Sequence, residues 1–369
     1  MRMPQRVAVV GVVLSVLVAG GCGGSSDSPP AKPPAATGAA SRLAAVLKSD
    51  ARFDSVRAVV VTVNGKKVFE RYLDTTPDVH RNIYSMTKSV MAVLVGVAIG
   101  DHKISGTAAT LAELLPRYAR SMPTAVAHTT LAQVLTMRAG FPGEEDPDAF
   151  AFLDAKDPTQ AILDSTAGHR PGTYAYSPSG AHLLSAIISA TTGRSVLDYA
   201  RAKLFRPLGI VTTPAAEPVA VKGYNPLGPT TFTWLVDRAG HHTGWSELAL
   251  TAEDLSKLGN LYLNGGRWNG KQIVPAAYVR ESTTGRVPFP DQIPIDSSYG
   301  YMWWTGQLHG HPGFSAVGFG GQRIMVIPDR GVVVVVVVDA YVNDPGSGGI
   351  EPPQSAEIAD AIFVGLAEH

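Results

Sequence analysis

The spacing of apolar and polar residues predicts strands in some parts of the chain and helices in others. Two runs rich in Val, Phe and Tyr within residues 57–73 flank Asn64-Gly65, a dipeptide typical of tight hairpin turns with positive φ. We therefore expect two antiparallel strands here. Near the other end, three segments separated by Gly and Pro-Asp predict three more strands: SSYGYMWWT, GFGGQRIMVIP and GVVVVVVVDA.

Val332–Val338 consists of valine alone, which is typical of a central strand that is buried on both faces. Apolar residues at helical spacing predict helices over 90–99, 111–115, 131–136, 181–191, 196–205 and 252–263, with a first helix from Ser41 and a closing helix over 355–366. The expected fold class is therefore α/β (α+β), with an antiparallel sheet formed by the two ends of the chain and flanked by N- and C-terminal helices. A mostly helical subdomain is inserted over roughly residues 100–245.

The N-terminus has the pattern of a secretion signal. Arg2 and Arg6 supply positive charge before the apolar stretch Val7–Val18, which is too short for a comfortable membrane span. Small residues then precede Cys22, the only cysteine in the chain, in an arrangement that resembles a bacterial lipobox. We expect residues 1–21 to be removed and Cys22 to carry a lipid that anchors an exported protein to the outer face of the cell membrane. An ordinary signal peptide followed by secretion is the alternative.

Composition separates a tether from a folded domain. Residues 22–40 are rich in Gly, Ser, Pro and Ala and cannot form a packed core, so we expect a tether there and a domain over 41–369. The chain has 369 residues, of which 45% are hydrophobic, so it can bury a large core. Lys plus Arg and Asp plus Glu both number 31, and no basic stripe is present, which argues against nucleic acid as a partner.

The candidate chemistry begins with Ser85 and Lys88, which lie three residues apart and share one face of a helix. A helix that begins near Ser85 favours negative charge at the hydroxyl group, and burial against the following apolar run lowers the pKa of the lysine. Together these effects describe an activated nucleophile. The same spacing also fits a capping serine and a solvated lysine, and the spacing alone does not separate the two interpretations.

The sequence around Ser85 and Lys88 favours the activated nucleophile over the capping serine. The stretch HRNIYSMTKSVMAVLVGVAIGDHKI resembles the nucleophile segment of the serine beta-lactamase and penicillin-binding protein superfamily, in which Ser and Lys open a central buried helix. The stretch GTYAYSPSGAHLLSAIISATTGRSVLDYARAKLFRPLGI resembles the second motif of that superfamily. The resemblance implies that Tyr176, with Lys88, relays the proton from Ser85 to the leaving group; Tyr174 is the competing assignment.

The resemblance covers nearly everything from Ser41 to the end of the chain and is strongest to the 6-aminohexanoate-dimer hydrolase and carboxylesterase branch. A third motif has two possible registers, Ala316-Val317-Gly318 and His311-Pro312-Gly313. The first, which we favour, makes the Phe319 N–H the partner of the Ser85 N–H in an oxyanion hole. Neither register contains the lysine of the lactamase motif, and Pro178 stands where lactamases carry an asparagine, so lactam antibiotics are poorer candidates as substrates.

The expected activity is hydrolysis of a small amide or ester through an acyl-serine intermediate, without a cofactor. Further substrate-binding candidates are Gly318, Ala316, His311, Gly313 and Trp245. Two alternatives remain: a DD-peptidase or beta-lactamase acting on cell-wall peptides or lactams, and a non-catalytic surface binding lipoprotein. We expect no metal site, because the paired histidines at 241–242 and at 309 and 311 lack carboxylates or cysteines at suitable spacing. The sequence leaves the oligomeric state open.

Overall fold

The computed structural model of the chain describes residues 53–73, 75–165, 171–215, 230–289, 292–339, 355–358 and 360–361, together with Ser41, Ala44, Ala45 and Leu47. The predicted signal segment, Cys22 and the tether lie outside these residues, so their predictions stay open. Within the part of the chain that is described, no helix is both long enough and apolar enough to cross a membrane.

An eight-stranded antiparallel sheet forms the centre of the fold. Its strands are β1 (Val56–Val63), β2 (Lys66–Tyr72), β8 (Val287–Pro288), β9 (Ser298–Tyr299), β10 (Trp304–Leu308), β11 (His311–Gly318), β12 (Gln322–Ile327) and β13 (Val332–Val338). Their order across the sheet is β2-β1-β13-β12-β11-β10-β9-β8, and a separate two-stranded sheet contains β6 (Arg267–Trp268) and β7 (Lys271–Gln272). Asn64 and Gly65 have φ of 49° and 75° and turn the chain between β1 and β2. The predicted hairpin and the pairing of the two ends of the chain are confirmed.

β13 is the central strand that the valine run predicts. It lies between β1 and β12, and all seven of its side chains are buried. Alternate residues enter two different cores because successive strand side chains point to opposite faces. Val333, Val335 and Val337 pack in the core that contains the central helix, whereas Val334 and Val336 pack on the opposite face with Phe53.

The helices flank this sheet. They are α1 (Met86–Gly100), α2 (Leu111–Leu114), α3 (Thr124–Ala127), α4 (Leu131–Leu135), α5 (Pro158–Asp164), α6 (Pro178–Thr192), α7 (Val196–Ala200), α8 (Arg206–Leu208), α9 (Ala252–Leu263) and α10 (Ala276–Ser282). A π-helical segment, Arg201–Phe205, joins α7 to α8. Residues 355–358 and 360–361 are helical, as expected for a closing helix. The boundaries of the predicted helical subdomain stay a prediction.

Two details differ from the sequence interpretation. The segment SSYGYMWWT forms two strands, β9 and β10, because the chain turns at Gly300, whose N–H donates to the Trp303 carbonyl. The apolar pattern predicts no strand over β11, because Pro312, Gly313 and Gly318 interrupt it; only the resemblance of the third motif implies a strand there.

A second, three-stranded sheet positions the start of α1. It contains β3 (Arg81–Asn82), β4 (Thr233–Trp234) and β5 (Leu248–Leu250) in the order β3-β5-β4. The β3–β5 pairing continues into the Ile83 N–H, which donates to the Leu248 carbonyl at 2.9 Å. The chain therefore enters α1 directly from a fixed strand.

Candidate active site

Ser85 stands at a sharp turn between β3 and α1. Tyr84, directly before it, has a φ of 47°, a left-handed conformation that is uncommon for a residue with a side chain. The Tyr84 N–H donates to Asn82 Oδ1 at 2.9 Å and holds this turn. Ser85 is the N-cap of α1 but makes no side-chain capping hydrogen bond, and it is partly exposed between buried neighbours. Its hydroxyl group is therefore not used to cap the helix.

Lys88 lies one turn into α1 and is 2% exposed. Its Nζ is 2.9 Å from Ser85 Oγ and 2.9 Å from the Trp245 carbonyl oxygen, and it lies 4.7 Å from the ring centroid of Tyr176. Burial lowers the pKa of Lys88 to about 8, and the negative charge of Glu144 acts in the opposite direction. The ammonium group can therefore lose its proton near neutral pH, and the amine can then accept the proton of Ser85.

Tyr176 lies just before α6, whose start explains the unusual second motif. Ser177 is the N-cap, and its Oγ accepts from the Gly180 N–H at 3.0 Å. Pro178 occupies the first helical position, where a missing N–H costs nothing. Proline at this position is therefore explained by the start of the helix.

Tyr176, rather than Tyr174, contacts Ser85. Burial raises the pKa of Tyr176 above its ordinary value, against the effect of a side-chain hydrogen bond with Ser85, so the phenol is protonated at neutral pH. Its ring stacks on Trp304 with centroids 6.4 Å apart. Tyr174 instead packs edge-on against Phe289, with centroids 4.8 Å apart.

The end of β11 forms the other wall of the site. A side chain at Gly318 would bring its Cβ to 2.5 Å from the Ile83 carbonyl oxygen, so only glycine allows this close approach to the turn that carries Ser85. Phe319 follows, 45% exposed, with its ring 5.6 Å from that of Tyr84. Ala316 is buried in the core that contains α1. The first register of the third motif, 316–318, is thus the one next to Ser85.

His311 and Gly313 do not lie at the site, which corrects their assignment as substrate-binding candidates. His311 begins β11, and its Nδ1 is 2.7 Å from Asp329 Oδ2. Seven residues of extended strand, at about 3.3 Å each, separate it from Gly318 by about 23 Å. Gly313 packs against the side chains of Ile327 and Ile295.

Trp245 contributes differently from the prediction. Its side chain is 4% exposed and packs edge-on against Phe150, with centroids 5.1 Å apart, so it is a core residue rather than an open cleft wall. Its carbonyl oxygen, which accepts from Lys88, is the part that enters the site.

Two buried polar groups near the Trp245 carbonyl were not predicted from the sequence. His182 on α6 has Nε2 3.0 Å from Asp237 Oδ2, and its Nδ1 accepts from the Gly244 N–H at 3.2 Å. Nδ1 is therefore unprotonated, and Nε2–H donates to the carboxylate. The second group is the carboxyl of Glu247, 0% exposed. Both lie in segments whose local patterns give no sign of partners that are distant in sequence.

Comparison with known proteins assigns the chain to a family. A family model described as Beta-lactamase matches residues 50–354, which is most of the chain. The chain belongs to the beta-lactamase family. The prediction of a serine hydrolase of this superfamily, with its mixed helical and antiparallel fold, is thereby confirmed.

Three proteins illustrate the similarity of this beta-lactamase family member to others. The 6-aminohexanoate-dimer hydrolase of Paenarthrobacter ureafaciens is 24% identical over 308 residues, which are 74% of this chain and 70% of the relative. A penicillin-binding protein homologue from Caulobacter crescentus has a TM-score of 0.68 at 20% identity, covering 90% of this chain and 98% of its own. EstCE1, a hydrolase with promiscuous acyltransferase activity, has a TM-score of 0.65 at 16% identity; the match covers 89% of this chain and 99% of EstCE1.

Among the described residues of this beta-lactamase family member, no group of three or more His, Cys, Asp or Glu side chains is arranged to hold a metal ion. The chemistry that the described site offers is a hydroxyl, an amine and a phenol in contact.

Proposed function

We propose that the protein hydrolyses small amides or esters through an acyl-enzyme formed on Ser85. The observation that carries the proposal is the 2.9 Å contact between Ser85 Oγ and the buried Nζ of Lys88, whose pKa is about 8. An ordinary lysine, with a pKa near 10.4, is almost fully charged at neutral pH, whereas this one supplies a sizeable fraction of free amine. The curated relative named for an aminohexanoate dimer supports an amide as one substrate class.

Acylation begins when the neutral Lys88 amine takes the proton of Ser85 as the oxygen attacks the substrate carbonyl. The carbonyl electrons move onto its oxygen, where the N–H groups of Ser85 and Phe319 are proposed to stabilise the negative charge. The Trp245 carbonyl accepts from Lys88 before and after the transfer, so the nitrogen stays in place. The product of this step is a tetrahedral intermediate on Ser85.

The leaving group needs a proton to depart. The Tyr176 phenol is protonated at neutral pH and has Lys88 over its ring, so it can pass the proton from the ammonium to the amine or alkoxide that leaves. The carbon–nitrogen or carbon–oxygen bond then breaks and the acyl group remains on Ser85. Water, deprotonated by the same amine, then attacks the acyl carbon. The bond from that carbon to Ser85 Oγ breaks, the Lys88 ammonium returns the proton to Oγ, and a carboxylic acid is released.

The groups around Ser85 disfavour a substrate carboxylate close to the reacting carbonyl, as lactam antibiotics carry. Phe319 and the Tyr176–Trp304 stack present aromatic surface near the nucleophile. Glu144 is the charged group that acts on both Lys88 and Tyr176, and its negative charge repels a carboxylate held beside the reacting carbonyl more than one at the far end of a linear amide. These features support small amides and esters over beta-lactam antibiotics.

Hydrolysis of three probes tests the proposal: a short-chain p-nitrophenyl ester, a linear aminohexanoate dimer and a penicillin, each with the wild type and Ser85→Ala. We expect ester or amide turnover that Ser85→Ala loses by at least about 1,000-fold. Stable penicilloyl adduct formation on Ser85, with no ester or amide turnover, would replace the proposal by the cell-wall alternative. Absence of any turnover or adduct in the wild type would favour the non-catalytic binding protein.

We also propose that the protein is exported and held at the outer face of the cell membrane through a lipid on Cys22. The apolar stretch, the small residues before the single cysteine and the Gly/Pro/Ser/Ala tether support this proposal. Metabolic labelling with a fatty-acid analogue, compared between the wild type and Cys22→Ser, tests it. Labelled, membrane-bound wild type and unlabelled, soluble Cys22→Ser are expected; unlabelled wild type in the medium would indicate ordinary secretion.

A further inference from the structure

A buried carboxyl group lies beneath the turn that presents Ser85. Glu247, directly before β5, uses both of its oxygens: Oε2 accepts from Asn82 Nδ2 at 2.8 Å, and Oε1 accepts from Ser246 Oγ at 3.1 Å. Among the described groups, these two hydrogen bonds stabilise the ionised form of the Glu247 carboxyl group, and no cation adds to that stabilisation. The carboxyl group is therefore held by neutral donors alone.

Those hydrogen bonds determine how Asn82 is oriented. Asn82 is 1% exposed, and its Oδ1 accepts from the Tyr84 N–H at 2.9 Å while its Nδ2 donates to Glu247. A flipped amide would place an oxygen against the carboxyl oxygen and an NH₂ group against the Tyr84 N–H, so both contacts would be repulsive. The carboxyl group thus selects the orientation that supports the turn.

The same asparagine connects the turn to the opposite wall of the site. Its backbone carbonyl accepts from Gln322 Nε2 at 2.6 Å, and Gln322 is the residue that begins β12 after the 319–321 loop. One buried network therefore joins Glu247, the left-handed Tyr84 turn and the segment that carries Phe319.

This arrangement costs stability. Glu247 has a φ of 67°, in the left-handed region, and burial raises the pKa of its carboxyl group to about 7. Backbone strain and unpaired buried carboxyl groups both destabilise a fold and concentrate at functional sites.

We infer that Glu247 is a positioning residue for the nucleophile: its carboxyl group orients Asn82, which fixes the Tyr84 turn and thereby the Ser85 hydroxyl. The inference rests on the proposed function, because it assigns Glu247 a role in presenting Ser85 for acylation. Glu247 itself touches neither substrate nor the reacting atoms.

The test is the rate of Ser85 labelling by a fluorophosphonate probe, resolved into a maximal rate and a half-saturating concentration. Asn82→Ala and Glu247→Ala should each lower the maximal rate about 10- to 100-fold, because small misplacements of a nucleophile have effects of this size. The half-saturating concentration should change by less than about threefold, since the binding walls stay in place. Glu247→Gln, which keeps an acceptor for Asn82, should retain most of the maximal labelling rate of the wild type.

Asn260→Ala is the matched control. Asn260 is likewise buried, and its Nδ2 donates to Thr62 Oγ1 at 2.9 Å and to the Ser256 carbonyl at 2.8 Å, between α9 and β1. It should lower the melting temperature as Asn82→Ala does, while the labelling rate stays within about threefold of the wild type.

The outcomes separate the inference from the proposed function. Wild type that is not labelled at Ser85 would contradict the proposed function itself. Labelled wild type with unchanged rates in Asn82→Ala and Glu247→Ala, or an equal loss in Asn260→Ala, would overturn the inference alone. Ser246→Ala removes only the second hydrogen bond to the carboxyl group and serves if the alanine variants at 82 and 247 do not fold. It should slow labelling about five- to tenfold, and a rate within about threefold of the wild type would also overturn the inference.

Discussion

Lys88 and Trp245 are 157 residues apart in the chain, yet the ammonium nitrogen of the first lies 2.9 Å from the carbonyl oxygen of the second. This contact holds the lysine in a buried position next to Ser85. The position lowers the pKa of Lys88 while the carbonyl oxygen keeps its nitrogen oriented. The pH dependence of activity and the variants of neighbouring residues test the contact between Lys88 and Trp245.

The activity should depend on pH through Lys88. The amine is the active form, so kcat/KM should rise with pH and level off above about pH 8, where the pKa of Lys88 lies. The measurement is kcat/KM for a p-nitrophenyl ester over a range of pH values. A profile that falls as the pH rises through this range would contradict the role of Lys88 as base.

Glu144→Gln is the companion variant for this profile. The carboxylate of Glu144 raises the pKa of Lys88, so its removal should move the rising limb towards lower pH. Because Glu144 is exposed, salt should reduce the difference between variant and wild type. A limb that stays in place at low salt would show that Glu144 does not act on Lys88.

Tyr176 and Tyr174 should respond very differently to loss of the hydroxyl group. Tyr176→Phe removes the phenol that contacts Ser85, and general acid–base groups of this kind contribute about 100- to 10,000-fold to kcat. Tyr174→Phe keeps the ring that packs on Phe289 and should change kcat by less than about fivefold. Steady-state kinetics of both variants decide the assignment, and the opposite ranking would make Tyr174 the relay.

His182→Ala should damage both stability and activity. It removes the donor to buried Asp237 and the acceptor for the Gly244 N–H, one residue before the Trp245 carbonyl. We expect a loss of about 2 kcal/mol in the free energy of unfolding and about tenfold in kcat. His241→Ala, which loses only a 3.3 Å contact with Asp237, is the control and should change both far less. Unchanged kcat in His182→Ala would show that this network does not position Lys88.

Glu247 should make the stability of the protein depend on pH. Its carboxyl group has a folded-state pKa of about 7 against an ordinary value of 4.5, so the folded state binds the proton more tightly than the unfolded state. Its contribution to stability is therefore complete below about pH 4.5 and is lost as the pH rises to about 7, by about 3 kcal/mol. Relative to the wild type, Glu247→Gln should become more stable over this interval in urea unfolding. A stability difference that does not change with pH would contradict the raised pKa.

The sequence predicted those elements whose signals are local. The bounds of α9, Ala252–Leu263, agree with the prediction because apolar spacing and a capping box coincide there. The Asn64-Gly65 turn and the buried valine strand were predicted for the same reason. Ser85 and Lys88 are one turn apart, so a short motif was enough to bring them together.

The rest of the site depends on contacts that no local pattern encodes. His182 and Asp237 are 55 residues apart, and Asn82 and Glu247 are 165 residues apart. A lone histidine on a helix or a glutamate before a strand gives no indication of a distant partner. The two registers of the third motif lie on one strand, and only the close approach of Gly318 to the Ile83 carbonyl determines which end lies next to Ser85.

The most direct test of an acyl-enzyme on Ser85 is peptide mapping after reaction with a fluorophosphonate probe. Trypsin cleaves after Arg81 and Lys88, so Asn82–Lys88, with Ser85 as its only serine, is released as one short peptide. We predict that the probe mass is found on Ser85 in this peptide and is lost in Ser85→Ala. A probe mass on another residue, or labelling that persists in Ser85→Ala, would contradict the account.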